Sequence, residues 1–234
     1  MKKLETKQWL PLIGMTLAAF IFNTSEFMPI GLLTSIAAAF SISESQAGIM
    51  ITAYSWAVMI LSVPLMIAVS KVSFKPMLLV TLSVFAIGQI LSGIAPTFII
   101  LIIARLIVAS AHAIFWSVAS VIAVKLVDEQ HRDFAMSMIV TGTSIAMIFG
   151  LPLGRIVGLY LGWRMTFILA GIIAFALFAF QSFVFPTLDK PKPFKVNQLP
   201  LLFKNKSLVS IFVVSFLFAT AYYTAYSYIE PFMS

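Results

Sequence analysis

Residues 98–124 read FIILIIARLIVASAHAIFWSVASVIAV. Only Arg105 carries a fixed charge in this run, and only His112 can acquire one. A helix needs about 20 apolar residues to cross a hydrocarbon core, and this run exceeds that. Six more runs meet the same criterion, at roughly 10–38, 47–69, 77–95, 134–160, 165–185 and 208–229. Barrel strands would be about 10 residues long with period-two alternation, which these runs lack. The expected fold class is an all-α membrane protein with seven spans.

Composition agrees. Of the 234 residues, 61% are hydrophobic and 10% charged, where an average soluble domain carries about 25% charged residues. Mean hydropathy is +1.06. The absence of cysteine excludes a disulfide framework and thiol metal sites. A net charge of +7 would suit nucleic acid, but the basic residues sit in loops and tails with no aromatic-interleaved basic face. No nucleic-acid partner is expected. The first span follows Met1-Lys2-Lys3 as a signal peptide would, yet its apolar run is too long and more spans follow, so an uncleaved helix is expected.

Orientation follows from lysine and arginine in the short loops. The N-terminus holds Lys2, Lys3 and Lys7, and the next loop only Glu44. Lys71 and Lys75 follow, then an uncharged Pro96-Thr97 turn, then Lys125 and Arg132, then Arg164 alone. The loop after the sixth span carries Lys190, Lys192, Lys195, Lys204 and Lys206. The alternation predicts a cytoplasmic N-terminus, the inverse of a seven-helix receptor of the G-protein-coupled type.

Three segments are expected: a six-helix transmembrane domain over 1–185, a basic cytoplasmic linker over 186–206 with four prolines, and the first helix of a further domain over 207–234. The sequence around Glu26-Phe27-Met28-Pro29 has a near echo at Glu230-Pro231-Phe232-Met233, across the linker. Parallel six-span repeats are a transporter architecture with substrate bound between the repeats. The echo predicts an N-terminal half plus one helix of a longer, duplicated protein.

Several stretches carry a family resemblance. Glu26-Phe27-Met28-Pro29-Ile30-Gly31-Leu32-Leu33 resembles the first-helix signature of bacterial drug- and sugar-efflux members of the major facilitator superfamily. The runs 111–117 (AHAIFWS), 150–155 (GLPLGR), 162–164 (GWR) and 225–232 (AYSYIEPF) are similar to its sugar efflux transporter branch. The loop between the second and third spans departs from the superfamily pattern Gly-x-x-x-Asp-Arg-x-Gly-Arg-Arg, reading AVSKVSFK over 68–75. The resemblance implies a six-helix major-facilitator bundle plus a seventh helix of a second, truncated bundle. It also implies proton-coupled efflux of sugars or sugar-like compounds across the bacterial inner membrane. Nucleoside or multidrug efflux by the same fold is the alternative, and a truncated, non-transporting membrane remnant a third reading. The complete protein would be a monomer.

Candidate site residues follow from the cost of polar groups in lipid, about 2.5–3.5 kcal/mol for a charge at the bilayer centre on insertion scales. Asn23, Thr24, Ser25 and Glu26 crowd one helical turn, so part of that turn must line a polar cavity. Pro29 has no N–H and frees a backbone carbonyl near Ser25. Glu26 is either a cavity carboxylate that takes a proton or holds substrate hydroxyls, or an acid permanently paired with arginine. Arg105, His112 and Trp116, at spacings of seven and four, share one helix face. Arg105 is expected about 10 Å below the outer surface at 1.5 Å per residue, with Glu26 the nearest carboxylate by depth.

The resemblance implies proton coupling by Glu26, Arg105 and Glu230, and substrate contact by Asn23, Glu26, His112, Trp116, Tyr222 and Tyr226, where the residues alone leave open a hydrogen-bonded core histidine, a core tryptophan and interfacial tyrosines. Gly142, Ala146, Gly150, Gly154 and Gly158 recur at every fourth position, with Pro152 and Arg155 among them. Small residues at that spacing let helices approach closely, and a packing seam with a gating role is expected. No enzyme motif is present: there is no His-Glu-x-x-His, no Gly-x-Ser-x-Gly and no phosphate-binding glycine loop. No cofactor or metal is expected, and the turn holding His131 reads as solvated.

Overall fold

Lipid offers a backbone no hydrogen bonds, so apolar runs of this length satisfy their own N–H and C=O groups as helices. The computed structural model of the protein describes residues 4–188 and 199–233. Among them are ten α-helices and no strand. They are α1 (Thr6–Phe27), α2 (Leu33–Phe40), α3 (Glu44–Val69), α4 (Phe74–Ile94), α5 (Phe98–Lys125), α6 (Arg132–Ile145), α7 (Leu151–Leu161), α8 (Trp163–Val184), α9 (Leu199–Lys204) and α10 (Lys206–Met233). Six helical segments are long and apolar enough to cross a membrane. The chain divides into two compact units, Met1–Lys192 and Pro193–Ser234. The second unit holds α9 and α10, so part of the expected linker is helical.

Two expected spans are internally broken. The first ends as an α-helix at Phe27, passes through a 3-10 turn at Ile30–Leu32 and resumes as α2. Pro29 lies at the break and supplies no N–H to the turn before it. The fifth consists of α6 and α7 joined by a π-helical turn at Ala146–Gly150, with Pro152 at the start of α7. Pro152 has no N–H for the carbonyl of Ile148 one turn earlier, and the π turn lies where that α-helical bond is missing.

Local chemistry fixes the ends. Ser43 caps α3, its hydroxyl accepting from the Gln46 N–H at 3.2 Å while Gln46 reaches back to the Ser43 N–H at 3.0 Å. Thr97 caps α5 through the Ile100 N–H at 3.3 Å. Gly162, at φ 85°, makes the turn between α7 and α8 that a side chain would strain.

Within the first unit α4 packs on α5 and α8, α3 on α5, and α1 on α6 and α8. Two cations clamp α4 to α8 at opposite ends. Lys75 donates to the Phe185 carbonyl at 2.8 Å, and Arg164 to the Ala95 carbonyl at 3.1 Å while lying 4.2 Å from the Trp163 ring centre. The core centres on Phe22, stacked between Phe85 at 4.0 Å and Phe115 at 4.3 Å. His131, expected in a solvated turn, is only 6% exposed. The 3-10 turn at Glu129–His131 buries the imidazole while Glu129 and Arg132 pair at 2.9 Å on the exposed side.

Candidate functional site

The polar turn of α1 distributes its four side chains around the helix. Thr24 and Ser25 are buried, while Asn23 and Glu26, three apart and thus on one face, are partly exposed. Pro29 leaves the Ser25 carbonyl without its helical N–H partner. Arg105 of α5 fills that gap. Its Nη2 donates to the Ser25 carbonyl oxygen at 3.1 Å and its Nη1 to the Ser25 hydroxyl at 3.2 Å. Gln89 of α4, itself fully buried, donates to the same hydroxyl.

Arg105 is 2% exposed, and a buried guanidinium needs its donors occupied to offset desolvation; Nη1 and Nη2 are bonded to Ser25, while Nε has no protein hydrogen-bond partner. Beyond Ser25 it finds aromatic faces: the Tyr54 ring centre lies 4.4 Å from its Cζ and the Phe167 ring centre 5.6 Å away. Depth along the two helices makes Glu26 the expected carboxylate partner, but the guanidinium bonds its neighbour, Ser25. Glu26 meets His112 instead, Oε2 to Nε2 at 3.5 Å, with 27% of the glutamate side chain exposed and 4% of the histidine's.

The shared face of Arg105, His112 and Trp116 is present. The His112 and Trp116 rings lie 6.0 Å apart, and Trp116 is half-buried. Tyr54 links the first two members of the stripe, its ring edge-on to His112 at 5.5 Å and under the guanidinium of Arg105. The Asn23 side-chain oxygen, His112 Nδ1 and the Tyr54 hydroxyl are buried without a protein hydrogen-bond partner. This cluster brings together an acid, an imidazole, a fixed cation and aromatic faces, with Glu26 and Trp116 as its accessible members. A proton can reside on either the carboxylate or the imidazole, and hydroxyl groups can bond to both.

Asn23, Glu26, Arg105, His112 and Trp116 are the members expected from the sequence, and Gln89 and Tyr54 are additions from the structure. The side chains of Tyr222, Tyr226 and Glu230 lie outside the described residues. Along the other side of α1 runs the small-residue stripe: Gly142, Ala146, Gly150, Gly154 and Gly158 are all buried. A Cβ at Gly142 would sit 2.5 Å from the Thr16 carbonyl oxygen, one at Gly150 2.5 Å from Thr24 Oγ1, and one at Gly154 2.9 Å from Met28 Cβ. Pro152 and Arg155 are exposed and stand off this contact line. An apolar cavity of about 220 Å³ lies beside the seam, between Ile21 of α1 and Met28 just past its end, Leu153 and Val157 of α7, and Leu169 and Ile173 of α8.

The sequence model of the Major Facilitator Superfamily matches residues 15–234. Two solved structures share the fold. One is a bacterial homologue of the human lysosomal transporter Spinster, in an inward-facing and unoccupied conformation. It is 16% identical with a TM-score of 0.69, matching 84% of this chain and 47% of its own. The other is the peptide transporter POT in complex with sulfate, 13% identical with a TM-score of 0.68, matching 94% of this chain and 48% of its own. The chain thus spans about half the length of each.

Proposed function

The chain belongs to the Major Facilitator Superfamily, a multi-pass membrane family, and from that premise we propose that it serves secondary active transport, exporting sugars or sugar-like compounds in exchange for protons by alternating access. The observation that carries this reading is the Glu26–His112 contact at 3.5 Å, beside the half-buried Trp116. An acid and an imidazole in reach of each other offer a proton-exchange site. The indole offers a face for a sugar ring, and Asn23 adds an amide one turn before Glu26.

In this scheme Glu26 takes up the proton, and Arg105 holds the broken first span against α5. Asn23, His112, Trp116, Tyr222 and Tyr226 contact substrate, while Glu230 supplies the matching acid of the second half. The seam of Gly142, Gly150, Gly154 and Gly158 is the surface along which the bundle rocks. The N-terminus lies in the cytoplasm and the membrane is the bacterial inner membrane, the orientation favoured by the lysine and arginine bias of the loops.

A second reading, export of nucleosides or amphipathic drugs, is favoured by the aromatic surroundings of the same pair: Phe22 lies 6.0 Å and Tyr54 5.5 Å from the His112 ring. Proton-driven uptake into everted vesicles, with arabinose, lactose-type sugars and nucleosides compared, separates the two. Saturable sugar uptake supports the first reading. Nucleoside uptake without sugar uptake replaces it with the second.

A further inference from the structure

Ser25 and Glu26 are adjacent on α1, yet the guanidinium of Arg105 bonds the former and leaves the latter to His112. Coulomb attraction alone would draw a buried arginine to a carboxylate one residue away. Something must hold the guanidinium to one side. Tyr54 is placed to do so. It is one of three buried residues on α3, with Ala47 and Met50, among neighbours that are half-buried or exposed. Its ring lies 4.4 Å from Arg105 Cζ and stands at 74° to the His112 ring at 5.5 Å. The ring therefore lies against both the cation and the imidazole.

We propose that Tyr54 is a positioning residue that keeps Arg105 on Ser25 and away from Glu26, so that the carboxylate stays available to His112. The working part is the aromatic face: a ring attracts the planar cation and fills the volume through which it would swing. The Tyr54 hydroxyl has no protein partner, so removing it should not disturb this arrangement. Without the ring, the guanidinium turns to Glu26 and forms an ion pair. This inference rests on the reading of Glu26 as an exchangeable acid, but its test does not need transport.

Dicyclohexylcarbodiimide, an apolar reagent for protonated carboxyls in membranes, reports the state of Glu26 by mass spectrometry of the labelled peptide. An opposite charge within about 4–6 Å favours the ionised carboxylate by roughly one to three pK units, so labelling of Tyr54→Leu should fall about tenfold or more. Tyr54→Phe should label like the wild type. Tyr54→Leu combined with Arg105→Gln should regain labelling, because the cation that quenches it is gone. Wild-type labelling in Tyr54→Leu, or a loss in Tyr54→Phe equal to that in Tyr54→Leu, overturns the proposal. If Tyr54→Leu does not accumulate in membranes, Tyr54→Met, longer and more adaptable but without a ring, takes its place under the same two criteria. Labelling that follows this pattern in a protein inactive toward every sugar would leave the positioning role standing and the transport reading refuted.

Discussion

Arg105 donates to the carbonyl oxygen of Ser25 at 3.1 Å, the oxygen that Pro29 deprives of its helical N–H. A sequence defect in one helix is thus repaired by a cation from another. The two residues responsible, Pro29 and Arg105, need not touch for their effects to be linked.

A double-mutant cycle exposes that link. In Pro29→Ala the restored N–H can serve the Ser25 carbonyl, so Arg105→Gln should cost less than it does beside proline. Coupling between residues that share a partner runs at about 0.5–3 kcal/mol. Thermal or denaturant unfolding of the four proteins in detergent measures it. Strictly additive effects would remove the shared carbonyl from the account.

Gly142 and Gly48 should respond oppositely to alanine. A methyl at Gly142 meets a backbone oxygen, Thr16 O, at 2.5 Å, whereas one at Gly48 meets no atom within 4 Å. Gly142→Ala should destabilise by about 1–3 kcal/mol, the usual cost of overpacking. Gly48→Ala should be neutral or gain up to about 1 kcal/mol from helix propensity. Equal melting temperatures for the two variants would contradict the seam.

Gln181 and Gly14 form a second close approach. The Gln181 amide is fully buried and donates to the Pro11 carbonyl at 3.2 Å, and a Cβ on Gly14 would sit 2.5 Å from that same amide nitrogen. Gly14→Ala and Gln181→Ala should each destabilise, and the double variant should cost less than their sum by about 0.5 kcal/mol or more. Unfolding midpoints of the three variants check the sign.

Glu26→Gln keeps the shape of the side chain and removes its exchangeable charge. It should abolish proton-driven transport while the protein still inserts and melts as the wild type does. Vesicles in which the variant responds normally to an imposed proton gradient would disqualify Glu26 as the coupling acid.

The helices were legible because lipid demands long apolar runs, and the break at Pro29 because proline lacks an N–H. The partner of the freed carbonyl was not legible. Depth along a helix follows from counting residues, but the direction a long side chain takes around the axis does not, and this separates Ser25 from Glu26 as the target of Arg105. Tyr54 was hidden for a related reason. Lipid tails are as apolar as a protein interior, so α3 shows no polarity difference between its buried positions (Ala47, Met50, Tyr54) and its exposed Trp56 and Met59. Gln89 and Gln181 were readable in principle: each is a lone amide in an apolar run, and each is fully buried in a hydrogen bond to α1.

The π turn at Ala146–Gly150 has a consequence for phase. An α-helix advances about 100° per residue, so a stripe at every fourth position creeps about 40° per step and soon leaves a straight neighbour. One turn closed by i→i+5 bonds rotates less per residue and winds the stripe back by a fraction of a turn. Gly154 and Gly158 can then still face Met28 and Leu32 after Gly142 has faced Thr16. Were that turn to close into regular α form with its five residues kept, each would rotate further, and everything from Leu151 to Leu161 would swing forward relative to the first span. The helix would survive, and its alignment with the first span would be lost.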